Sequence, residues 1–147
     1  MDIHETLNDL LVNLFRNINS IEEKAVRAGE YKDLTTNDMH VIEAIGLGEP
    51  RNMTSVARQQ SVTTGTLTIS MNNLVKKGYV VRARSEEDRR VVLVSLTEKG
   101  KRAFGQHKQF HDQLIREVVD GLDGQEQEIL QRSLANLMGY FHRLQEK

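Results

Sequence analysis

The stretch of this chain that most restricts its fold runs from Met53 to Leu96, where helical spacing gives way to strand-like runs. A short helix, the turn SVTTG and a second helix are predicted first, and apolar residues recur in the second helix at three- and four-residue spacing. Those residues share one helix face: Leu67, Met71, Leu74 and Val75. Residues 79–84 and 91–96 are rich in β-branched side chains and predict two strands joined by a charged tip. A helix-turn-helix followed by a β-hairpin is therefore expected.

Residues with short polar side chains mark the predicted ends of these two helices. Thr54 is expected to cap the first helix, and Thr63 or Thr64 the second, because a side-chain oxygen at this position accepts hydrogen bonds from free backbone N–H groups. Gly78 is expected to close the second helix, since glycine tolerates the left-handed backbone that often follows a helix.

The second helix has a polar face opposite its apolar stripe. This face comprises Thr64, Thr66, Thr68, Asn72, Asn73 and Lys76. Short hydroxyl and amide side chains let a helix enter a DNA major groove, about 12 Å wide, where Asn pairs with adenine and Thr methyl groups touch thymine. An ordinary amphipathic helix with a solvated face would show the same pattern. The DNA-binding interpretation places four of these residues on bases: Thr64, Thr66, Thr68 and Asn72.

The distribution of charge along the chain favours the DNA-binding interpretation. The net charge is −1, yet residues 51–102 hold 11 Lys or Arg against four Asp or Glu, while the remainder holds nine against 17. Basic charge concentrated in one segment is the electrostatic pattern that phosphate binding requires. Phosphate contacts are expected from Arg58, Lys76, Arg82 and Arg84.

The hairpin tip, residues 85–90, combines acidic and basic side chains. An arginine at such a tip can enter a minor groove while a neighbouring carboxylate fixes its direction. This stretch resembles the winged helix-turn-helix of the MarR family of bacterial transcription regulators. The resemblance rests on the succession of helix, turn, helix, KKGYVVRARSEEDRR, hairpin and LTEKG. Asp88 and Arg90 match the family's Asp-x-Arg wing signature. The resemblance implies that Arg90 enters the minor groove and that Asp88 orients it. Arg89 is a second basic group, whose direction the resemblance does not fix.

Long helices are predicted on both sides of this central unit. Residues 3–28 carry an apolar stripe that ends at Gly29, and Thr35 or Thr36 is expected to cap a helix that precedes the central stretch. After the wing, Thr97 is expected to cap a helix that continues despite Gly100 and Gly105, and Asp123 a final helix.

The expected fold is mainly α (α+β): a winged helix-turn-helix with long N- and C-terminal dimerisation helices. The chain is expected to form one domain over residues 1–147, with the DNA-binding unit at about 35–97 and the dimerisation helices at about 1–30 and 98–147. In the resembled family the terminal helices interlock into a twofold homodimer. Specific reading of double-stranded DNA also favours two half-sites about 34–36 Å apart, and hence a palindromic operator.

Several classes of function are disfavoured by the composition. There is no cysteine, so disulfides, thiolate metal sites and thiol redox switches are excluded. No apolar run reaches the roughly 18 residues of a membrane span and no signal-peptide pattern is present, so a cytoplasmic protein that does not bind membranes is expected. No catalytic motif stands out, which argues against an enzyme. A winged-helix protein that uses its wing for protein contacts remains an alternative.

The histidines raise the question of a metal effector, since some members of the resembled family are zinc regulators. The chain contains His4, His40, His107, His111 and His142. The pair His107 and His111 shares a helix face, with Asp112 adjacent, but a four-residue spacing without a third ligand does not define a metal site. The alternative is that they are surface or pocket-edge histidines near Phe110. No metal ligand is assigned from the sequence.

A narrower resemblance concerns the fatty-acid-synthesis repressors of Gram-positive cocci, which belong to the same family. It rests on IEEKAVRAGEYKDLTTNDMHVIEAIG, TLTISMNNLVKKGYVVRARSEEDRRVV and HKQFHDQLI. The resemblance implies repression of membrane-lipid synthesis genes, with long-chain acyl-acyl carrier protein as co-repressor and no required cofactor. Candidate acyl-chain residues, which ordinary core packing would also explain, are Phe15, Ile18, Met39, Ile42, Phe104 and Phe110. A small phenolic or lipophilic effector, or zinc, is the alternative signal.

Overall fold

The N-terminal helical region has a change of helix type within it. In the computed structural model, which describes Met1–Lys147, helix α1 (Ile3–Asp9) runs into a π-helical segment (Leu10–Leu14) and then into helix α2 (Phe15–Ala28). Asp2 begins the run by accepting a 2.8 Å hydrogen bond from the Glu5 backbone N–H, and Gly29 ends it. The helical prediction for residues 3–28 is confirmed, but the π segment was not anticipated.

Three helices form the next part of the chain: α3 (Thr36–Ile45), α4 (Met53–Gln59) and α5 (Thr64–Lys76). Thr35 caps α3, and Thr63 caps α5 by accepting a 3.1 Å hydrogen bond from the Thr66 N–H. The cap predicted for α4 is wrong: Asn52, and not Thr54, accepts the 2.7 Å hydrogen bond from the Ser55 N–H. Helix α4 starts earlier than predicted, so Thr54 lies inside its first turn.

The hairpin belongs to a three-stranded antiparallel sheet with the order β1-β3-β2. Its strands are β1 (Arg51–Asn52), β2 (Val80–Arg84) and β3 (Val92–Leu96), with Val80 opposite Leu96 at the base of the hairpin. Both hairpin strands begin one residue later than predicted. Strand β1 was missed because two residues are too few to show an alternating pattern.

A continuous apolar core joins the sheet to the helices around it. Fully buried members include Ile42 of α3, Val56 of α4, Leu67 and Met71 of α5, and Val94 of β3. The predicted apolar face of α5 is thereby confirmed. The opposite side of α5 is left facing solvent.

Tyr79 lies between α5 and β2 and anchors a polar network at the edge of the core. Its hydroxyl donates a 2.6 Å hydrogen bond to Asp33, and burial, reinforced by this carboxylate, raises its pKa far above the ordinary value. Lys77 donates to the Asp33 carbonyl and to Asp38, while the Lys99 ammonium lies 4.3 Å from the Tyr79 ring centre. This network fixes the end of α5 where it turns into the hairpin.

The first turn of helix α6 (Glu98–Asp120) packs closely against the backbone of Tyr79. Thr97 caps it, accepting a 3.1 Å hydrogen bond from the Gly100 N–H, as predicted. A Cβ atom at Gly100 would lie only 2.1 Å from the Tyr79 carbonyl oxygen, whereas nothing lies within 4 Å of a Cβ at Gly105. Gly100 is therefore required by packing.

Contacts along the chain divide it into two units, residues 1–108 and 109–147, with the boundary inside α6. The second unit contains helix α7 (Gly124–Gln145), which Asp123 caps by accepting a 2.8 Å hydrogen bond from the Glu126 N–H. Large apolar side chains are exposed along α7. None of the helices combines the length and apolar character needed to cross a membrane.

Candidate nucleic-acid interface

Helix α5 presents an exposed polar face because its apolar stripe is fully used by the core. Leu67, Met71 and Leu74 are at most 1% exposed. The six residues predicted to face DNA are all exposed on this helix: Thr64, Thr66, Thr68, Asn72, Asn73 and Lys76. The sequence pattern and the structure thus agree on the surface that α5 offers to a partner.

Hydrogen bonds within α5 limit what its threonines can do. The Thr68 hydroxyl donates to the Thr64 carbonyl at 2.7 Å, and the Thr63 and Thr66 hydroxyls lie 3.0 Å apart. A hydroxyl has one proton to donate, so Thr68 keeps only acceptor capacity and its methyl group for a partner. Contact with a thymine methyl group is the interaction that suits Thr68 best.

Asn72 is held by an arginine of the adjoining strand. The Arg82 guanidinium donates a 2.6 Å hydrogen bond to Asn72 Oδ1. Arg82 was predicted to contact phosphate, and the structure gives it this additional role of orienting the Asn72 amide. The amide N–H₂ group then points away from Arg82. Since bidentate adenine recognition uses both amide atoms, Arg82 must release Asn72 if that contact is to form.

We expect Asn72→Ala to relax base preference. Loss of a base contact of this type reduces discrimination by roughly tenfold or more at one position, while leaving phosphate contacts in place. The measurement is the ratio of affinities for the operator duplex and for duplexes carrying single base-pair changes. An unchanged ratio would show that α5 is oriented differently on DNA.

The wing tip holds Arg90 in a defined direction. Its Nε and Nη2 atoms each donate to the Asp88 carboxylate at 3.0 Å, while 91% of the Arg90 side chain remains exposed. The hydrogen bonds from Arg90 lower the pKa of Asp88, so this carboxylate is ionised at neutral pH. Arg84 donates a 2.8 Å hydrogen bond to the Arg89 carbonyl and closes the tip from the other side.

A surface groove links the wing to α4. Arg58 and Arg90 both line it, together with Asn52, Met53, Thr54, Ser55, Val91 and Val92. Arg58 is exposed on α4, as the phosphate-contact prediction requires. The groove therefore brings two basic side chains from separate elements to one surface.

Part of the basic charge predicted to face DNA is used inside the fold. Arg51 donates to the Ala44 carbonyl, Lys77 to Asp38 at 3.1 Å, and Lys99 to the Lys77 carbonyl at 3.0 Å. These three groups neutralise helix ends and buried acceptors. Charge counting along the sequence overstated the number of free cations because it cannot identify such internal partners.

The six predicted acyl-chain residues have different surroundings. Met39 and Ile42 lie in the packed core, and Phe104 packs against it. Phe15 and Ile18 are exposed on α2, at 56% and 37%, and Phe110 is half-buried, with its ring centre 5.7 Å from that of His111. An acyl-chain tunnel through these residues stays a prediction.

The histidines also differ in their surroundings. His107 is buried at 6% exposure, so the alternative of a surface histidine does not apply to it. His40 Nε2 lies 3.4 Å from Glu22 Oε2, and His107 Nε2 lies 3.8 Å from Glu43 Oε2. His4 and His142 are exposed. The burial of His107 was missed because helix α6 is polar around most of its surface.

Comparison with known proteins agrees with this geometry. The sequence profile of the transcriptional regulator SarA/Rot family matches residues 27–106. The crystal structure of Streptococcus pneumoniae FabT in complex with DNA superimposes with a TM-score of 0.90 and 37% identity, over 96% of this chain and 99% of that one. The match extends beyond the winged unit to nearly the whole chain.

Curated relatives are likewise regulators. The HTH-type transcriptional regulator SarZ of Staphylococcus haemolyticus is 44% identical over 68 residues, which cover 46% of each chain. The HTH-type regulator YhjH of Bacillus subtilis is 29% identical over 106 residues, 71% of this chain and 61% of that protein. The alignments thus span only about half to three fifths of these relatives. The predictions of the winged helix-turn-helix fold and of a transcription regulator in place of an enzyme are confirmed.

Proposed function

The chain belongs to the SarA/Rot family of winged helix-turn-helix transcriptional regulators, and on this basis we propose that it is a DNA-binding repressor of fatty-acid synthesis genes. The observation that carries the DNA-binding part is the pairing of Asp88 with Arg90 at an exposed wing tip. A guanidinium fixed before binding loses less conformational freedom when it enters a minor groove. The exposed polar face of α5 supplies the major-groove half of the same interface.

The proposed repressor acts as a homodimer. On the N-terminal helices, apolar side chains face solvent in the isolated chain: Ile3, Leu7, Leu11, Leu14 and Ile21. Helix α7 exposes a second set: Ile129, Leu130, Leu134, Met138, Phe141 and Leu144. Extended apolar faces of this kind are typical of interaction surfaces, and a second copy of the chain covers them in the proposed dimer. Twofold symmetry then calls for a palindromic operator.

The proposed co-repressor is long-chain acyl-acyl carrier protein. Support comes from the resemblance of this chain to the fatty-acid-synthesis repressors and from its 37% identity with Streptococcus pneumoniae FabT. Burial of an acyl chain contributes about 0.8 kcal/mol for each CH₂ group, so a long chain can stabilise one arrangement of the helices strongly. Phe15, Ile18 and Phe104 are the proposed contacts nearest the surface, since Met39 and Ile42 are enclosed by the core.

Fluorescence anisotropy tests this function. The labelled duplex is a palindrome from upstream of a fatty-acid-synthesis operon, and a half-site duplex serves as the comparison. We expect acyl-acyl carrier protein to tighten binding to the full site, and unacylated carrier protein to leave it unchanged. Binding should weaken steeply between two salt concentrations because phosphate contacts release counterions.

Each part of the proposal can fail separately in this experiment. Equal affinity for full and half sites would contradict the dimeric repressor. Specific, salt-sensitive binding whose affinity does not change with acyl-acyl carrier protein would overturn the proposed co-repressor but not the DNA-binding function. Absence of salt-sensitive binding would overturn DNA binding itself.

A further inference from the structure

One large apolar side chain lies among polar residues on the exposed face of helix α5. Ile69 is 67% exposed. It follows the buried Leu67 by two residues, which is about 200° of rotation around a helix, so it points away from the core. Asn72 and Asn73 follow it by three and four residues and are its neighbours on the helix surface. Ile69 therefore lies at the centre of the surface that α5 offers to DNA.

Neither the core nor the proposed dimer accounts for an isoleucine at this position. The core uses the opposite side of α5, and the apolar sets assigned to the dimer lie on the N-terminal helices and on α7. Isoleucine also has a lower helix propensity than alanine, lysine or glutamine. An exposed apolar side chain contributes favourable free energy only when a partner removes it from water. The partner that would use Ile69 is therefore a molecule bound to α5.

The position one turn before Ile69 carries no side chain. Gly65 precedes Ile69 by four residues and so shares its helix face. A Cβ atom at Gly65 would meet Thr63 Oγ1 at 3.9 Å, which is ordinary van der Waals contact. Packing within the protein therefore does not require glycine here, although glycine costs a helix stability relative to alanine. What glycine does allow is a close approach of another molecule to the helix backbone.

The surroundings of Ile69 indicate the chemistry of that molecule. Its neighbours on the helix surface are the amides of Asn72 and Asn73, and Lys76 is exposed at the end of the same helix. An apolar protein partner would need a wider apolar surface than one isoleucine among amides. Among the groups that base pairs present in the major groove, the C5-methyl group of thymine is the apolar one. A polar surface with one apolar side chain at its centre matches that arrangement.

We propose that Ile69 sets part of the base specificity of this protein by contacting a thymine C5-methyl group in the major groove, in the space that Gly65 leaves open. The inference rests on the proposed DNA-binding function and deepens it. It adds a thymine at a fixed position of each half-site to the preferences set by the polar residues of α5. Because the contact is apolar, its contribution should change little with salt concentration, whereas phosphate contacts weaken.

Deoxyuridine lacks only the C5-methyl group of thymine and therefore isolates this contact. The palindrome that the full chain binds most tightly is first selected from a pool of random duplexes, so that the test does not depend on which genes the protein controls. Each symmetry-related pair of thymines is then replaced by deoxyuridine, and affinity is measured by anisotropy. Burial of one methyl-sized group favours binding about fourfold, so we expect a loss of about fifteenfold at one pair of positions.

Ile69→Ala should bind the thymine and deoxyuridine duplexes with equal affinity at that pair of positions. Thr68→Ser and Leu47→Ala are the matched controls and should keep the preference for thymine there. The first removes only the methyl group of a neighbouring side chain, and the second removes an aliphatic side chain, 57% exposed, outside α5. Gly65→Ala should weaken binding to the selected palindrome because its methyl group occupies the open space, while its unfolding midpoint should not fall.

The outcomes separate this inference from the function on which it rests. Specific binding that is equally tight to the thymine duplex and to every deoxyuridine duplex would overturn the inference alone. A thymine preference that Ile69→Ala retains would also overturn it, since another residue would then read the methyl group. Parental affinity of Gly65→Ala would contradict the close approach at that glycine. Absence of specific binding to any duplex would contradict the proposed function, and this inference with it.

Discussion

Arg90→Ala is expected to reduce affinity for every duplex, by roughly tenfold or more, and to lower the slope of log affinity against log salt by about one. Arg90 is the exposed guanidinium at the wing tip, and its alignment depends on two 3.0 Å hydrogen bonds to Asp88. Its removal is expected to delete a contact to the DNA and to leave the sheet untouched. The measurement is anisotropy on specific and unrelated duplexes over a range of salt concentrations.

Two further variants distinguish the role of Arg90 from a general charge effect. Arg116→Ala removes an exposed arginine from the second half of α6 and should leave affinity nearly unchanged. Asp88→Asn should weaken binding less than Arg90→Ala does, because the guanidinium remains but loses its ionised partner. Equal affinity of Arg90→Ala and the parent would show that the wing does not bind DNA, and would support its use in protein contacts.

Gly100→Ala should give the largest loss of stability of any glycine substitution in the chain, about 3 kcal/mol or more. The new Cβ would lie 2.1 Å from the Tyr79 carbonyl oxygen, a backbone atom that cannot rotate away. That carbonyl also accepts a 3.0 Å hydrogen bond from the Thr97 N–H, so displacement would disturb the start of α6. Thermal or urea unfolding at fixed protein concentration measures the change.

Gly105→Ala is the matched control in the same helix. Nothing lies within 4 Å of a Cβ at this position, so alanine should raise the free energy of unfolding by about 1 kcal/mol through its higher helix propensity. The two substitutions are chemically identical and are predicted to act in opposite directions. Similar losses at both positions would contradict the close approach of α6 to Tyr79.

Residues close in sequence made the central interface predictable. Asp88 and Arg90 are two positions apart, so the hydrogen-bonded tip follows from a short segment and from the wing signature that this segment matches. The polar face of α5 follows from the 3.6-residue period of a helix, and the caps by Thr35, Thr63, Thr97 and Asp123 follow from local hydrogen bonding. The cap of α4 was wrong because Asn52 and Thr54 are both suitable residue types within one turn.

The sequence by itself thus determined the helices, the hairpin, the wing pair and the polar face of α5, since each depends on neighbours within a few positions. Only the tertiary structure decided which charges are free and which groups are brought together. It placed Lys77 against Asp38, 39 positions away in sequence, and Arg82 against Asn72. It also buried Glu22 beside His107 and set Gly100 against Tyr79. Such contacts depend on how helices from distant parts of the chain pack, and no local pattern of residues encodes that packing.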